Sequence, residues 1–182
     1  IFLGKVKKII PSLNAAFVDV GYEKDAFLHY LDLGPQLRSL TKFTKFAMAG
    51  TAYNGLLDNL NLEPDIEKTG KMAGALTVNQ LIPVQIAKEP ISTKGPRISS
   101  EISIPGRDMV LIPFSDAVSI SQKIKSSEER QRLKRLMMSI KPKNFGVIIR
   151  TAAEGKSVAE LDADLKDLVE KSVGVSLKIE AE

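Results

Sequence analysis

Phe17 and Phe27 stand on neighbouring apolar segments, with Lys5, Lys88 and Lys94 on adjoining stretches. Aromatic rings on a small barrel stack on unpaired bases, and lysines meet phosphates. The competing reading is that both rings are core, the ordinary place for a phenylalanine on a strand. Period-two alternation sets Phe17 on the face opposite Val18 and Val20, which favours an exposed ring. Arg150 and Thr151 form a second candidate pair. They follow an apolar run and precede a helical pattern, and crevices at strand carboxyl ends are where α/β units bind ligands. A guanidinium clamps a phosphate through two parallel hydrogen bonds, and a neighbouring hydroxyl adds a third. On pattern alone, an Arg150 paired with a nearby carboxylate is an equal alternative.

Other reactive-looking residues read as structure. Ala153-Glu154-Gly155-Lys156-Ser157 has part of a nucleotide-binding P-loop, but that signature needs glycine five residues before its Gly-Lys pair. Arg150 holds the position, and Glu154 would repel phosphate. Gly155 therefore reads as a turn and Ser157 as a helix cap. Lys123, Lys125, Arg130, Arg132, Lys134 and Arg135 form a basic run behind Glu128 and Glu129. The acids suit a helix amino terminus. The bases read as a solvated helix face, with a nucleic-acid backbone as the other occupant. Asp162, Asp164 and Asp167 also read as solvated, and no acid–base pair or two-metal cluster stands out.

Composition narrows the field. The 182 residues, 43% of them hydrophobic, suit one compact domain or two small ones. An excess of 26 Lys+Arg over 22 Asp+Glu gives a net charge of +4, a weak attraction for an anionic partner. The absence of cysteine excludes disulfides, thiol catalysis and zinc–thiolate sites, and fits a reducing cytoplasm. His29 is the only histidine, so His-cluster metal sites and Ser-His or Cys-His dyads have little to build on. No apolar run reaches the roughly 20 residues that a spanning helix needs, and no signal peptide is visible. The first residue, Ile1, already lies in an alternating pattern, so the chain reads as a segment of a longer protein.

The elements that would carry these residues change character along the chain. Strand patterns over 1–10, 15–20 and from Ala26, punctuated by Pro11-Ser12-Leu13-Asn14 and Gly21, predict a small antiparallel barrel or sandwich. Gly34, Pro35, Gly50, Gly55, Pro64, Gly70 and Gly74 interrupt residues 34–76, which read as a long irregular insertion. Strands are expected again over 82–86, 98–104 and 109–113, with a polar turn between Lys88 and Pro96. Beyond that the period becomes helical. Ser126 with Glu129 and Ser157 with Glu160 are capping-box pairs. The first opens a stripe of Leu133, Leu136, Met137 and Ile140 that should stop near Pro142. The second opens one of Leu161, Leu165, Leu168 and Val169. Phe145–Ile149 lies between them as a buried strand. The boundary falls near residue 100.

Gly4-Lys5-Val6, the run from Pro11 to Gly21, and Ala26-Phe27-Leu28 closely resemble the S1 domain of bacterial ribonuclease E/G endoribonucleases. Lys94-Gly95, Pro105-Gly106, Val110-Leu111-Ile112-Pro113, Ile120-Ser121, Ile149-Arg150-Thr151-Ala152 and Gly155-Lys156-Ser157 resemble that family's 5′-sensor region in the same order. The resemblance covers nearly all the chain except 34–76 and the carboxyl tail. It implies an α+β fold: an S1-type OB β-barrel over 1–100, interrupted by 34–76, followed by a small α/β sensor subdomain over 101–182.

The resemblance also implies function. Family members cleave single-stranded, A/U-rich RNA in RNA processing and decay, and prefer a 5′-monophosphate end. Arg150 and Thr151 match the pair that grips this phosphate; Gly106 and Val110 match positions lining the same pocket, Val110 through its backbone. Phe17, Phe27, Lys88 and Lys94 match residues that contact RNA. Lys123 follows Gln122 where two arginines are common, and Val20 stands where an aromatic is often found. The family's magnesium-binding aspartates and zinc-linking cysteines belong to later domains. The segment is therefore expected to bind RNA without cutting it and without a cofactor of its own. Its parent is expected to be a homo-oligomeric, cytoplasmic bacterial enzyme. The alternative is a stand-alone S1-type RNA-binding module, which the Arg150-Thr151 context disfavours because such a module needs no sensor.

Overall fold

Residues 1–49, 57 and 60–181 are described in the computed structural model, with side chains described through residue 172. The chain forms two compact units. One comprises Ile1–Ala49 and Glu63–Ile102; the other joins the described residues between 50 and 62 to those from Ser103 onward.

The first unit is a closed barrel of β1 (Phe2–Ile10), β2 (Ala15–Asp19), β3 (Ala26–His29), β4 (Leu81–Lys88) and β5 (Arg97–Ser99). The strands run in the order β1-β2-β3-β5-β4, antiparallel except for the β3–β5 closure. Alternation determines what faces inward. Val6, Val18, Ala26, Leu28, Ile82, Val84 and Ile98 are buried, while Lys5, Lys7, Phe17, Phe27 and Gln85 beside them are more exposed. Gly4 is needed in this wall, because a Cβ there would lie 2.6 Å from Val18 Cγ1. A short 3-10 turn over Pro11–Leu13 joins β1 to β2 and ends on Asn14 in the left-handed region at φ 49°.

Residues 34–76 are not irregular throughout. Leu37–Met48 form the twelve-residue helix α1, and Met72–Ala75 the single turn α2. The stripe was hidden because two of its buried members are polar. Ser39 and Thr44 are sealed beside Leu37, Leu40, Phe43 and Ala47. Each finds a partner there: Ser39 Oγ accepts the Glu63 N–H at 2.8 Å, and Thr44 Oγ1 donates to the Leu40 carbonyl at 2.8 Å. The chain returning from α1 is tied to the barrel by side chains. Asn14 Nδ2 donates to the Gly70 carbonyl at 3.1 Å, Asn14 Oδ1 accepts the Met72 N–H at 2.7 Å, and the Tyr30 hydroxyl donates to the Glu67 carbonyl. Gly50 and Gly55 lie outside the described residues.

The strand expected over 98–104 is broken. Ser100 donates its N–H to the Asp32 carbonyl and its hydroxyl to the Leu33 carbonyl, which ends the barrel pairing. The second unit then builds a sheet from β6 (Ile104–Pro105), β7 (Met109–Pro113), β8 (Val118–Ile120) and β9 (Phe145–Ile149), in the order β6-β7-β9-β8. At three residues, β8 is too short to announce itself by period; its parallel pairing with β9 makes it a strand. Helix α3 (Ser127–Ile140) connects β8 to β9, and α4 (Val158–Ala181) follows. Met109, Leu111, Phe145, Val147 and Ile149 supply the buried sheet face. Leu133 and Met137 of α3 and Leu161, Leu165 and Leu168 of α4 are the buried helix stripes.

Both helices start at their expected caps. Ser126 Oγ accepts the Glu129 N–H at 3.3 Å, but the Glu129 carboxylate pairs with Arg132 instead of completing the box. The Ser157–Glu160 box is reciprocal, with contacts of 2.8 Å to Glu160 Oε2 and 3.3 Å to Ser157 Oγ. Before β9, buried Asn144 takes a left-handed backbone at φ 66° and donates Nδ2 to the carbonyls of Leu57 and Leu60. Among the described residues, no helix is long and apolar enough to cross a membrane.

Candidate functional site

The barrel presents one aromatic–basic groove. Phe17 and Phe27 are directly opposed on β2 and β3, with ring centroids 5.9 Å apart and planes at 66°. Their neighbours Ala16, Val18, Ala26 and Leu28 fill the interior, which leaves both rings half-buried on the outer wall. A groove of about 690 Å³ runs along them, lined also by Lys24, Lys88, Ile91 and Lys94. Lys88 ends β4, and Lys94 closes a bridge with Ile91 in the connection to β5. That connection approaches β3 closely because residue 95 is glycine: a Cβ there would fall 2.2 Å from the Asp25 carbonyl oxygen. Arg97 also borders the groove, but Asp32 holds its guanidinium through Nε at 3.1 Å and Nη2 at 3.0 Å. Four residues expected to act together, Phe17, Phe27, Lys88 and Lys94, thus line one cleft. Lys5 does not border it.

Two groove residues carried no chemical signal in the sequence. Ile91 is 73% exposed, unusual for a large aliphatic side chain, and Lys24 sits in the turn before β3. Their position in turns could have been read, but their convergence on the phenylalanines depends on barrel closure.

In the second unit, β9 ends at Ile149 and is followed directly by Arg150 and Thr151, both exposed. The Arg150 backbone N–H donates to the Asp108 carbonyl at 2.8 Å, and its Nη1 donates to the Gly106 carbonyl at 2.9 Å. Among the described residues, no carboxylate forms an ion pair with this guanidinium. Thr151 Oγ1 lies 3.3 Å from Ser121 Oγ. Lys123 is exposed on the turn that follows, its N–H donating to the same Ser121 hydroxyl at 3.3 Å. Arg130 braces that turn from α3 through the carbonyls of Ser121 and Ile124, so this member of the basic run is structural. Val110 faces Ile148 across the β7–β9 pairing, on the sheet face opposite the buried one. Ser121 is the residue that sequence reasoning missed as a partner of Thr151.

Behind this strand end, Lys156 Nζ lies 2.6 Å from Asp108 Oδ1, so the P-loop-like lysine is engaged in an ion pair. Asp162 and Asp167 pair with Lys166 and Lys171, as a solvated face would. Asp164 differs: it is half-buried, and its Oδ2 accepts the Asp108 N–H at 3.1 Å. Hydrogen bonds from the Ser157 backbone and hydroxyl, with Lys156 and Arg107 nearby, hold the Glu160 carboxyl below the usual glutamate range. The chain has no cysteine, and no group of three or more His, Asp or Glu able to hold a metal occurs among the described residues.

A closed barrel with an antiparallel meander, a parallel β3–β5 closure and a following α/β unit defines an α+β protein with an OB-type barrel. The model of the ribonuclease E/G family matches residues 103–181. Ribonuclease E of Nostoc sp. is 37% identical over 169 residues, 92% of this chain and 21% of that protein. Ribonuclease E of Synechocystis sp. is 36% identical over the same shares, and ribonuclease G of Escherichia coli is 35% identical over 90% of this chain and 30% of its own length. The chain belongs to the ribonuclease E/G family, and it spans about a fifth to a third of the length of these relatives.

Proposed function

We propose that the chain is the RNA-binding and 5′-monophosphate-sensing part of a ribonuclease E/G endoribonuclease acting on single-stranded RNA in processing and decay. The observation that carries this reading is the groove in which Phe17, Phe27, Lys88 and Lys94 converge. Small barrels of this topology bind oligonucleotides on the β2–β3 face with the β4–β5 loop alongside, which is where the groove runs. Two rings offer stacking surface to consecutive bases, and the lysines meet the backbone phosphates. Arg150 supplies the second half of the reading. It is exposed, fixed at a strand carboxyl end, and spends one of its five N–H donors on Gly106, leaving four for a ligand. With the hydroxyls of Thr151 and Ser121 and the cation of Lys123 in the same unit, it suits a terminal phosphate. Gly106 contributes through its carbonyl, which aims the guanidinium. Val110 pairs with Pro105, next to Gly106, and would contribute main chain to the phosphate site.

The decisive experiment compares one short single-stranded RNA carrying a 5′-monophosphate with the same RNA carrying a 5′-hydroxyl. The protein should bind the phosphorylated end more tightly. Arg150→Ala should erase that difference by removing about 1.5–3 kcal/mol from the monophosphorylated ligand alone. An equal loss on both ligands would mean that Arg150 contacts generic backbone, and the sensing assignment would fail.

A further inference from the structure

The enclosed ion pair behind Arg150 is idle in the function proposed above. Lys156 and Asp108 meet at 2.6 Å with side chains only 17% and 5% exposed. Removing two charges from water costs about what their attraction returns, so such a pair is weak ground for stability and better ground for fixing geometry. The geometry it fixes is the turn over residues 106–108. Both backbone contacts that orient Arg150 come from this turn: the Asp108 carbonyl takes its N–H at 2.8 Å, and the Gly106 carbonyl takes its Nη1 at 2.9 Å. The turn is in turn held from the helix side. Asp164 of α4 accepts the Asp108 N–H at 3.1 Å, and Lys156, just before α4, holds the Asp108 carboxylate. A Cβ on Gly106 would stand 2.8 Å from Leu168 Cδ1 and 3.1 Å from Asp164 Oδ2, so the turn lies flush against α4. Arg107, at the tip, approaches Asp108 only to 3.8 Å and is 77% exposed, so it does not replace Lys156.

We propose that Lys156 and Asp108 are positioning residues for Arg150, setting the direction of its guanidinium for the terminal phosphate without touching the ligand. The chain of contacts runs from α4 through Lys156, Asp108 and the Gly106 carbonyl to Arg150. An arginine on an unbraced turn would spread over several rotamers, and a bidentate phosphate contact tolerates little misalignment. The inference rests on the reading of Arg150 given above.

The test measures the affinity ratio between monophosphorylated and hydroxyl-ended RNA for the whole 182-residue chain and its variants. Lys156→Met should lower the ratio roughly tenfold, the scale of one charge-assisted hydrogen bond, with affinity for the hydroxyl-ended RNA unchanged. Lys156→Arg, which keeps the charge beside Asp108, should restore most of the ratio. If Lys156→Met does not fold, Asp108→Asn, which keeps the shape of the turn and removes its charge, should give the same tenfold loss. A ratio that stays at the wild-type value in a folded Lys156→Met or Asp108→Asn protein, while Arg150→Ala abolishes it, overturns the positioning role and leaves the phosphate reading standing. A ratio insensitive to Arg150→Ala overturns both.

Discussion

At Phe17 a single side chain serves two surfaces. Its β-strand position sets the ring on the outer wall, half-buried, with the Phe27 ring packed against it at a steep angle. The ring is therefore held in place before any ligand arrives, which lowers the ordering cost of stacking. Phe17→Ala should weaken binding of both RNA ends alike by about 1–3 kcal/mol. Titration of the two RNAs against the variant checks this, and unchanged affinity for both would show the ring to be structural. Arg150 illustrates how far residue types can be read alone. Its chemistry and strand-end position were legible, but whether a carboxylate neutralised it depended on residues 40 or more positions away. The partner proved to be the Gly106 carbonyl, which orients the guanidinium and leaves its charge free.

Helices show the same division between local and distant causes. The start of α4 was legible because a capping box is written in four consecutive residues, Ser157 to Glu160. The hydrogen bonds there favour the ionised carboxyl, so Glu160 protonates only below the ordinary glutamate range. Its contribution is complete above that range and is lost as the pH falls through the lowered value. Thermal melts of wild type and Glu160→Gln should differ near neutral pH and converge in acid; a constant gap would show that the charge is irrelevant to the cap. Helix α1 was illegible for the opposite reason. Ser39 and Thr44 look like solvent-facing residues, and only the returning chain at Glu63 and the helix's own Leu40 carbonyl make them fit for burial.

For the whole molecule, a net charge of +4 is a weak attraction for an anionic partner, so the proposed RNA binding rests on how the charge is distributed. Lys88 and Lys94 concentrate it along the groove, and Lys123 and Arg150 at the strand end. Affinity for either RNA should fall linearly in log–log form with salt, and Lys88→Ala should reduce the slope by about 1 if the lysine meets a phosphate. An unaltered slope would remove Lys88 from the interface. By itself the sequence determined the strand alternation of the barrel, the two cap-initiated helices, and the residues whose chemistry suits bases and phosphates, because each is set by neighbours within a few positions. Tertiary structure alone decided that α1 buries two hydroxyl residues, that Phe17, Phe27, Lys88 and Lys94 share one groove, and that Lys156 binds Asp108. Those outcomes depend on barrel closure and on α4 packing against the 106–108 turn, and a pattern of local periods does not encode which distant backbone will arrive.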